Sequence, residues 1–109
     1  MVLSGAVQGE TFVTVARVDA VPPGTVVKVR AAEEEIALAN VDGRFYATQN
    51  ACIHLQGPLG EGSLCGHLLT CPWHGWQYDV RTGENDFDLA ITLRTYEVEV
   101  ADGEVRVRV

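Results

Sequence analysis

The chain has 109 residues, with 15 acidic against 8 basic side chains and a formal net charge of −7. That length supports one modest core and a single domain, 1–109, with no room for a separate substrate-binding domain. The acidic balance disfavours nucleic acid as a partner, because phosphates are met by Lys and Arg, and suits docking to a basic protein face.

Residues Met1–Glu10 carry no basic stretch followed by an apolar run, so no secretory signal is read there. No apolar run approaches the length of a membrane span, and a cytoplasmic protein without membrane contact is expected. From Phe12 onward the hydrophobic period is two. Phe12, Thr14, Ala16 and Val18 alternate with Val13, Val15 and Arg17, and Val27, Val29 and Ala31 alternate with Lys28 and Arg30. This is the pattern of half-buried antiparallel strands. Pro22-Pro23-Gly24 and Thr82-Gly83-Glu84 mark turns, and Glu33-Glu34-Glu35 reads as a solvated turn. Asp42-Gly43 and Asp102-Gly103 are two-residue hairpin signals between strand-like runs. Strands are predicted at 11–18, 25–31, 35–41, 44–49, 63–70, 76–80, 95–101 and 104–109. No segment has a helical stripe. The expected fold class is all-β, a small sandwich or barrel of antiparallel strands.

One region, 50–76, breaks this pattern by crowding Cys, His, Gly, Pro and Trp. It holds Cys52-Ile53-His54 and Cys71-Pro72-Trp73-His74, separated by sixteen residues, Leu55 to Thr70. The chain has 3 cysteines, an odd number that argues against a complete disulfide framework. In a reducing compartment such a Cys/His pattern more often means metal. In an extended Cys-x-His both side chains point the same way, so each loop can present one thiolate and one imidazole to a common centre. Structural zinc also accepts two Cys and two His, but favours Cys-x₂₋₄-Cys and His-x₃₋₅-His spacing, which two mixed pairs do not match.

A two-iron, two-sulfide core has the right requirements. Its oxidised charge of +2 is cancelled by two thiolates, whereas four would leave −2. Neutral imidazoles therefore make the centre easier to reduce, with potentials in the range of roughly −150 to +300 mV. Gly57, Gly60, Gly62 and Gly75 let backbone N–H groups approach sulfur. Pro58 and Pro72 stiffen the loops. Leu55, Leu59, Trp73 and Trp76 can wall the centre from water.

Cys65-Gly66-His67 repeats the Cys-x-His spelling, but His67 lies too close to Cys71 for a second loop and a return strand. Cys65, His67 and Leu69 are expected on one face of the strand entering the second loop, with Cys65 a small buried or semi-exposed thiol and His67 a surface or strand histidine. Asp79, Glu84, Asp86 and Asp88 make no convincing catalytic pair, and Asp86 and Asp88 are expected in a solvated loop. No nucleophile–base arrangement or phosphate-binding loop is visible, so the chain is not expected to be an enzyme and no catalytic residue is assigned.

These residues resemble the signature of the Rieske iron–sulfur family: Cys-x-His, sixteen residues, then Cys-x-x-His. Gly57-Pro58-Leu59, the stretch Cys71-Pro72-Trp73-His74-Gly75-Trp76-Gln77-Tyr78-Asp79, and Thr82-Gly83 are similar too. The likeness is strongest over 44–84, the expected cluster-binding subdomain. It implies stacked antiparallel sheets bearing two loops. It implies Cys52 and Cys71 on one iron of a [2Fe–2S] cluster, and His54 and His74 on the other, with the imidazoles as the electron exit.

Rieske proteins of cytochrome bc complexes have a further cysteine in each loop, joined as a disulfide, and a membrane anchor. Neither is seen here. The chain is similar instead to the Rieske-type ferredoxins of bacterial ring-hydroxylating oxygenase systems. The resemblance implies a one-electron carrier, expected to be a monomer, between a flavoprotein reductase and a terminal oxygenase. A large catalytic domain, as in the terminal oxygenases, does not fit in this length. The alternatives are an accessory subunit of another oxidoreductase, such as a nitrite reductase, a structural zinc module, or a redox sensor. High-potential family members have a serine where Trp76 stands, so the low end of the range is expected. Tyr78, whose hydroxyl could reach a ligand sulfur, is read equally as a sulfur hydrogen-bonder or a core aromatic.

Overall fold

The period-two alternation becomes ten strands among the described residues, which are 11–73 and 75–109 of a computed structural model. Residues 1–10, where no secretory signal was read, and His74 lie outside them. In chain order the strands are β1 (Phe12–Arg17), β2 (Thr25–Ala31), β3 (Glu34–Val41), β4 (Arg44–Gln49) and β5 (Ser63–Cys65). Then follow β6 (Leu68–Thr70), β7 (Gln77–Asp79), β8 (Thr95–Tyr96), β9 (Val98–Ala101) and β10 (Glu104–Arg108). They form three antiparallel sheets, in the orders β1-β10-β9, β2-β3-β4-β8 and β5-β6-β7. The fold is all-β, as the alternation implies.

The organising strand is β3. Its run Ile36–Val41 is buried without alternation, because both faces are covered. Ile36 and Leu38 pack with Val105 and Val107 of β10. Ala37, Ala39 and Val41 pack in a second cluster with Leu69, Tyr78, Cys52 and Cys71. The small alanines thus face the two-loop subdomain, and the sheet containing β3 is the middle layer. Asn40 is the polar interruption of this run. Its Nδ2 donates to the Val21 carbonyl at 2.7 Å and its Oδ1 accepts the Gly43 N–H at 2.7 Å, so the buried amide is satisfied.

Both hairpin signals hold. Asp42 and Gly43 have φ of 52° and 93°, Asp102 and Gly103 have 56° and 75°. Positive φ at both central residues is the turn whose twist matches flanking strands.

Two predicted strands are each a pair of strands. The 63–70 run is the hairpin β5–β6, turned at Gly66 with φ 59°. Cys65 and Leu69 therefore lie on different strands, with His67 in the turn, and the one-face reading of Cys65, His67 and Leu69 fails. Cys65 is exposed. The 95–101 run divides after Tyr96, because β8 pairs with β4 of the middle sheet while β9 pairs with β10 of another. Alternation reports which face is buried and carries no record of a change of partner.

Candidate metal centre

Both Cys/His segments are loops closed the same way. The Cys52 N–H donates to the Gly57 carbonyl at 2.8 Å, and the Cys71 N–H donates to the Trp76 carbonyl at 2.8 Å. The second loop joins β6 to β7, so the outer sheet holds both its ends. The first leaves β4 and returns through the 3₁₀ turn Leu59–Glu61.

Asn50 anchors the first loop. Its N–H donates to the Glu35 carbonyl at 3.1 Å, its carbonyl accepts the Leu59 N–H at 2.8 Å, and its Oδ1 accepts the Gly60 N–H at 2.7 Å. The glycine N–H at 60 is thus spent on Asn50 and is not aimed at sulfur. Inside the loop, Leu55 and Gln56 have φ of 58° and 59°. A left-handed non-glycine residue costs roughly 1–2 kcal/mol, and such strain persists where the surroundings over-determine the backbone. Ile53–Gln56 is a turn, so the extended Cys-x-His geometry is absent. What remains of the alternation is burial: Cys52 buried, Ile53 exposed, His54 half-buried.

The loops interlock at Gly57. A Cβ placed there would lie 2.6 Å from the Cys71 Sγ and 3.1 Å from the Trp73 Cβ. The first loop is therefore moulded around the thiol of the second. Cys52 and Cys71 are both 1% exposed. The Tyr78 phenol lies 3.1 Å from the Cys52 Sγ and accepts the Ile53 N–H at 3.3 Å. Either atom can donate in the contact with the Cys52 thiol; toward a thiolate the phenol alone carries the proton. Tyr78 is fully buried as well, so the two sequence readings of it are one role. Cys71 Sγ accepts the Trp73 N–H at 3.4 Å. The backbone donor to this sulfur is thus Trp73, where the sequence pointed to a glycine.

Burial pushes the Cys71 thiol up, against the pull of the Trp73 N–H, and the neighbouring Cys52 adds to the rise. Burial also raises the Tyr78 phenol, reinforced by its contact with Cys52, so it stays a donor at neutral pH. The buried Cys71 thiol resists ionising unaided, while its sulfur and that of Cys52 each lie within reach of a donor suited to a thiolate. A bound cationic centre resolves that conflict, since it is what ionises a coordinating thiol.

The imidazole of His54 is stacked on Trp76, with centroids 4.7 Å apart and planes at 13°. Trp76 in turn receives Phe87 edge-on, at 4.8 Å and 87°. Of the four predicted walls, Leu59 is buried and Trp76 half-buried, but Leu55 is 63% and Trp73 48% exposed. Leu55 and Trp73 are instead exposed apolar side chains of the loops, as is Ile53.

Phe87 and Asn50 escaped sequence reasoning. Phe87 is placed by Asn85, which is fully buried. The Asn85 Oδ1 accepts the N–H groups of Phe87 and Asp88 at 3.1 and 3.0 Å, and its Nδ2 donates to the Gln77 carbonyl at 3.2 Å. The Asn-Asp-Phe-Asp spelling is an Asx-turn signal that could have located the loop, though not its contact. Asp86 and Asp88 are exposed, as expected. Asp79 engages Arg81 through two side-chain bonds of 3.0 and 2.7 Å.

Two interlocked loops, each offering a buried thiol, on stacked antiparallel sheets define an iron–sulfur domain of the Rieske class. The sequence model of the Rieske [2Fe-2S] domain matches residues 11–97, and the chain belongs to this family. It is 39% identical over 87 residues to "Ferredoxin CarAc" of Metapseudomonas resinovorans, covering 78% of this chain and 81% of that protein. It is 34% identical over 100 residues to the ferredoxin component of the naphthalene 1,2-dioxygenase/salicylate 5-hydroxylase systems of a Ralstonia species, covering 91% and 96%. Its fold superposes with a TM-score of 0.81 on a chain of the solved complex of reduced oxygenase and oxidized ferredoxin in carbazole 1,9a-dioxygenase, at 35% identity and covering 89% and 92% of the two chains.

Proposed function

We propose that this protein is the Rieske-type ferredoxin of a ring-hydroxylating oxygenase system, carrying single electrons to a terminal oxygenase. The observation that carries the reading is the pair of buried thiols on twin loops, each sulfur within reach of a hydrogen-bond donor. Cys52 and Cys71 would hold one iron and His54 and His74 the other, all within one domain, 1–109. When bound, the [2Fe–2S] group takes up and returns one electron.

The chain's residues do the rest. The Gly57 contact sets the distance between the loops. Tyr78 and the Trp73 N–H stabilise negative charge on sulfur as an electron arrives. Leu59, Tyr78 and Trp76 keep water from the inner side. The half-buried His54, among the exposed Ile53 and Leu55, gives the electron its way out. Substrate is transformed by the oxygenase and not by this chain.

A flavoprotein reductase is the proposed electron donor, and the carrier works as a monomer in the cytoplasm. No helix among the described residues is long and apolar enough to cross a membrane. The net charge of −7 favours transient docking to basic faces of both partners.

Iron and acid-labile sulfide analysis, with an EPR spectrum of the dithionite-reduced protein, tests the centre. Reconstitution with candidate reductases and oxygenases, following substrate-dependent turnover, tests the role. One zinc and no labile sulfide in the purified protein would overturn both.

A further inference from the structure

We infer that Trp76 is a positioning residue for His54: its indole, stacked on the imidazole and in perpendicular contact with Phe87, selects the plane of that imidazole and covers it, and so holds the reduction potential of the centre down. The inference rests on the assignment of His54 as a ligand.

The terminal torsion of histidine is broad and roughly two-fold, and a flat ring stacked on the imidazole of His54, which sits in a turn, narrows that choice of plane. Trp76 lies against it at 4.7 Å and 13°, an offset-stacked geometry of the kind aromatic pairs prefer. The indole has its own restraint in Phe87, edge-on at 4.8 Å and 87°, and Phe87 is placed by the Asx turn of the buried Asn85. The series therefore runs from a fully buried amide, through a 62% exposed ring, to the proposed ligand.

Two consequences for the potential have the same sign. A ligand imidazole is more electron-poor in the oxidised state, and the electron-rich indole face favours that state. The indole also excludes water from one imidazole face, and water would stabilise the more negative reduced state. Removing the indole should raise the potential on both counts. Trp76 also packs against the core that contains Tyr78 and Leu59, so a pure packing role must be separable.

The separation comes from comparing Trp76→Phe, which keeps a flat ring, with Trp76→Leu, which fills space without one. Both are made in the cluster-loaded protein beside Phe87→Ala. Iron and sulfide content, nitrogen couplings by pulsed EPR and the midpoint by redox titration are the readouts. Trp76→Phe should retain the wild-type couplings and a midpoint closer to wild type than that of Trp76→Leu. Trp76→Leu, at unchanged iron and sulfide, should broaden the spread of nitrogen couplings and move the midpoint upward. Phe87→Ala should do the same to a smaller extent. A Trp76→Leu protein identical to wild type, or one with a lowered midpoint, overturns the inference. Should Trp76→Leu fail to load, Phe87→Ala decides, and unchanged couplings there overturn it. A wild-type protein without a Rieske-type signal would instead overturn the ligand assignment itself.

Discussion

The Tyr78 hydroxyl lies 3.1 Å from the Cys52 Sγ across the space between β7 and the first loop. Because the same oxygen accepts the Ile53 N–H, the phenol ties loop backbone and the Cys52 sulfur in one bond pair. A donor at sulfur stabilises the reduced, more negative centre. Tyr78→Phe should therefore lower the midpoint while iron content stays at the wild-type level. It should also cost about 1 kcal/mol of stability for the unmet Ile53 N–H, read as a fall of several degrees in Tm. A midpoint that rises or stays put would show that the hydroxyl does not act on the sulfur.

The high-potential proteins this chain resembles carry a serine where Trp76 stands, and Trp76 has no hydroxyl to offer. With Tyr78 as the side-chain donor, the potential should sit toward the low end of the Rieske range of roughly −150 to +300 mV. Spectroelectrochemical titration at neutral pH gives the answer directly, and a midpoint well above zero would contradict it.

Gly57 and Gly66 should respond oppositely to alanine. At Gly57 a Cβ meets the Cys71 Sγ at 2.6 Å, and the loops must separate; at Gly66 nothing lies within 4 Å and only the φ of 59° is strained. Gly57→Ala should lose most bound iron with the sheets intact by circular dichroism. Gly66→Ala should keep its iron and lose about 1 kcal/mol. Equal iron retention in both proteins would refute the interlock.

The proposed ligand set predicts a contrast among the cysteines. Cys65 is exposed on β5, whereas Cys52 and Cys71 are buried. Cys65→Ser should retain full iron and sulfide, while Cys71→Ser should lose the cluster. His74→Cys should abolish the Rieske-type EPR signal, and an unchanged spectrum would remove His74 from the set.

Arg81 holds the Asp79 carboxyl below the usual carboxylate range, chiefly through its side-chain bonds and against the effect of burial. The folded pKa is thus depressed below the unfolded value near 3.8. The associated stability is present at neutral pH and is lost as pH falls through the folded pKa. Arg81→Ala should raise the Asp79 pKa in an NMR titration and flatten the acid limb of the stability curve between pH 4 and lower values. An Asp79 titration unaffected by Arg81→Ala would dissociate the pair from the shift.

Much of the fold was legible because a half-buried strand writes its inner face into every second residue. β2 and β4 coincide with the predicted ranges, and both Asp-Gly turns fall where their positive φ demands. The 63–70 run contains a turn at Gly66 and the 95–101 run changes sheets after Tyr96, and the expected alternation breaks there, with Val100 51% exposed. Burial on both faces of β3 was hidden, because it depends on a layer contributed by strands far away in the chain.

For the centre, the sequence alone determined the donor types, their spacing and the mismatch with zinc, since coordination chemistry restricts which residues can serve. Cys52 and Cys71 are together and buried as that chemistry requires. The tertiary structure decided what surrounds them. Asn50 anchoring the first loop, Gly57 making room for the Cys71 sulfur, Trp73 rather than a glycine donating to it, and Phe87 backing the Trp76–His54 stack are all contacts between distant segments. Their physical content lies in ångström-scale approach, which a linear pattern of residue types does not encode.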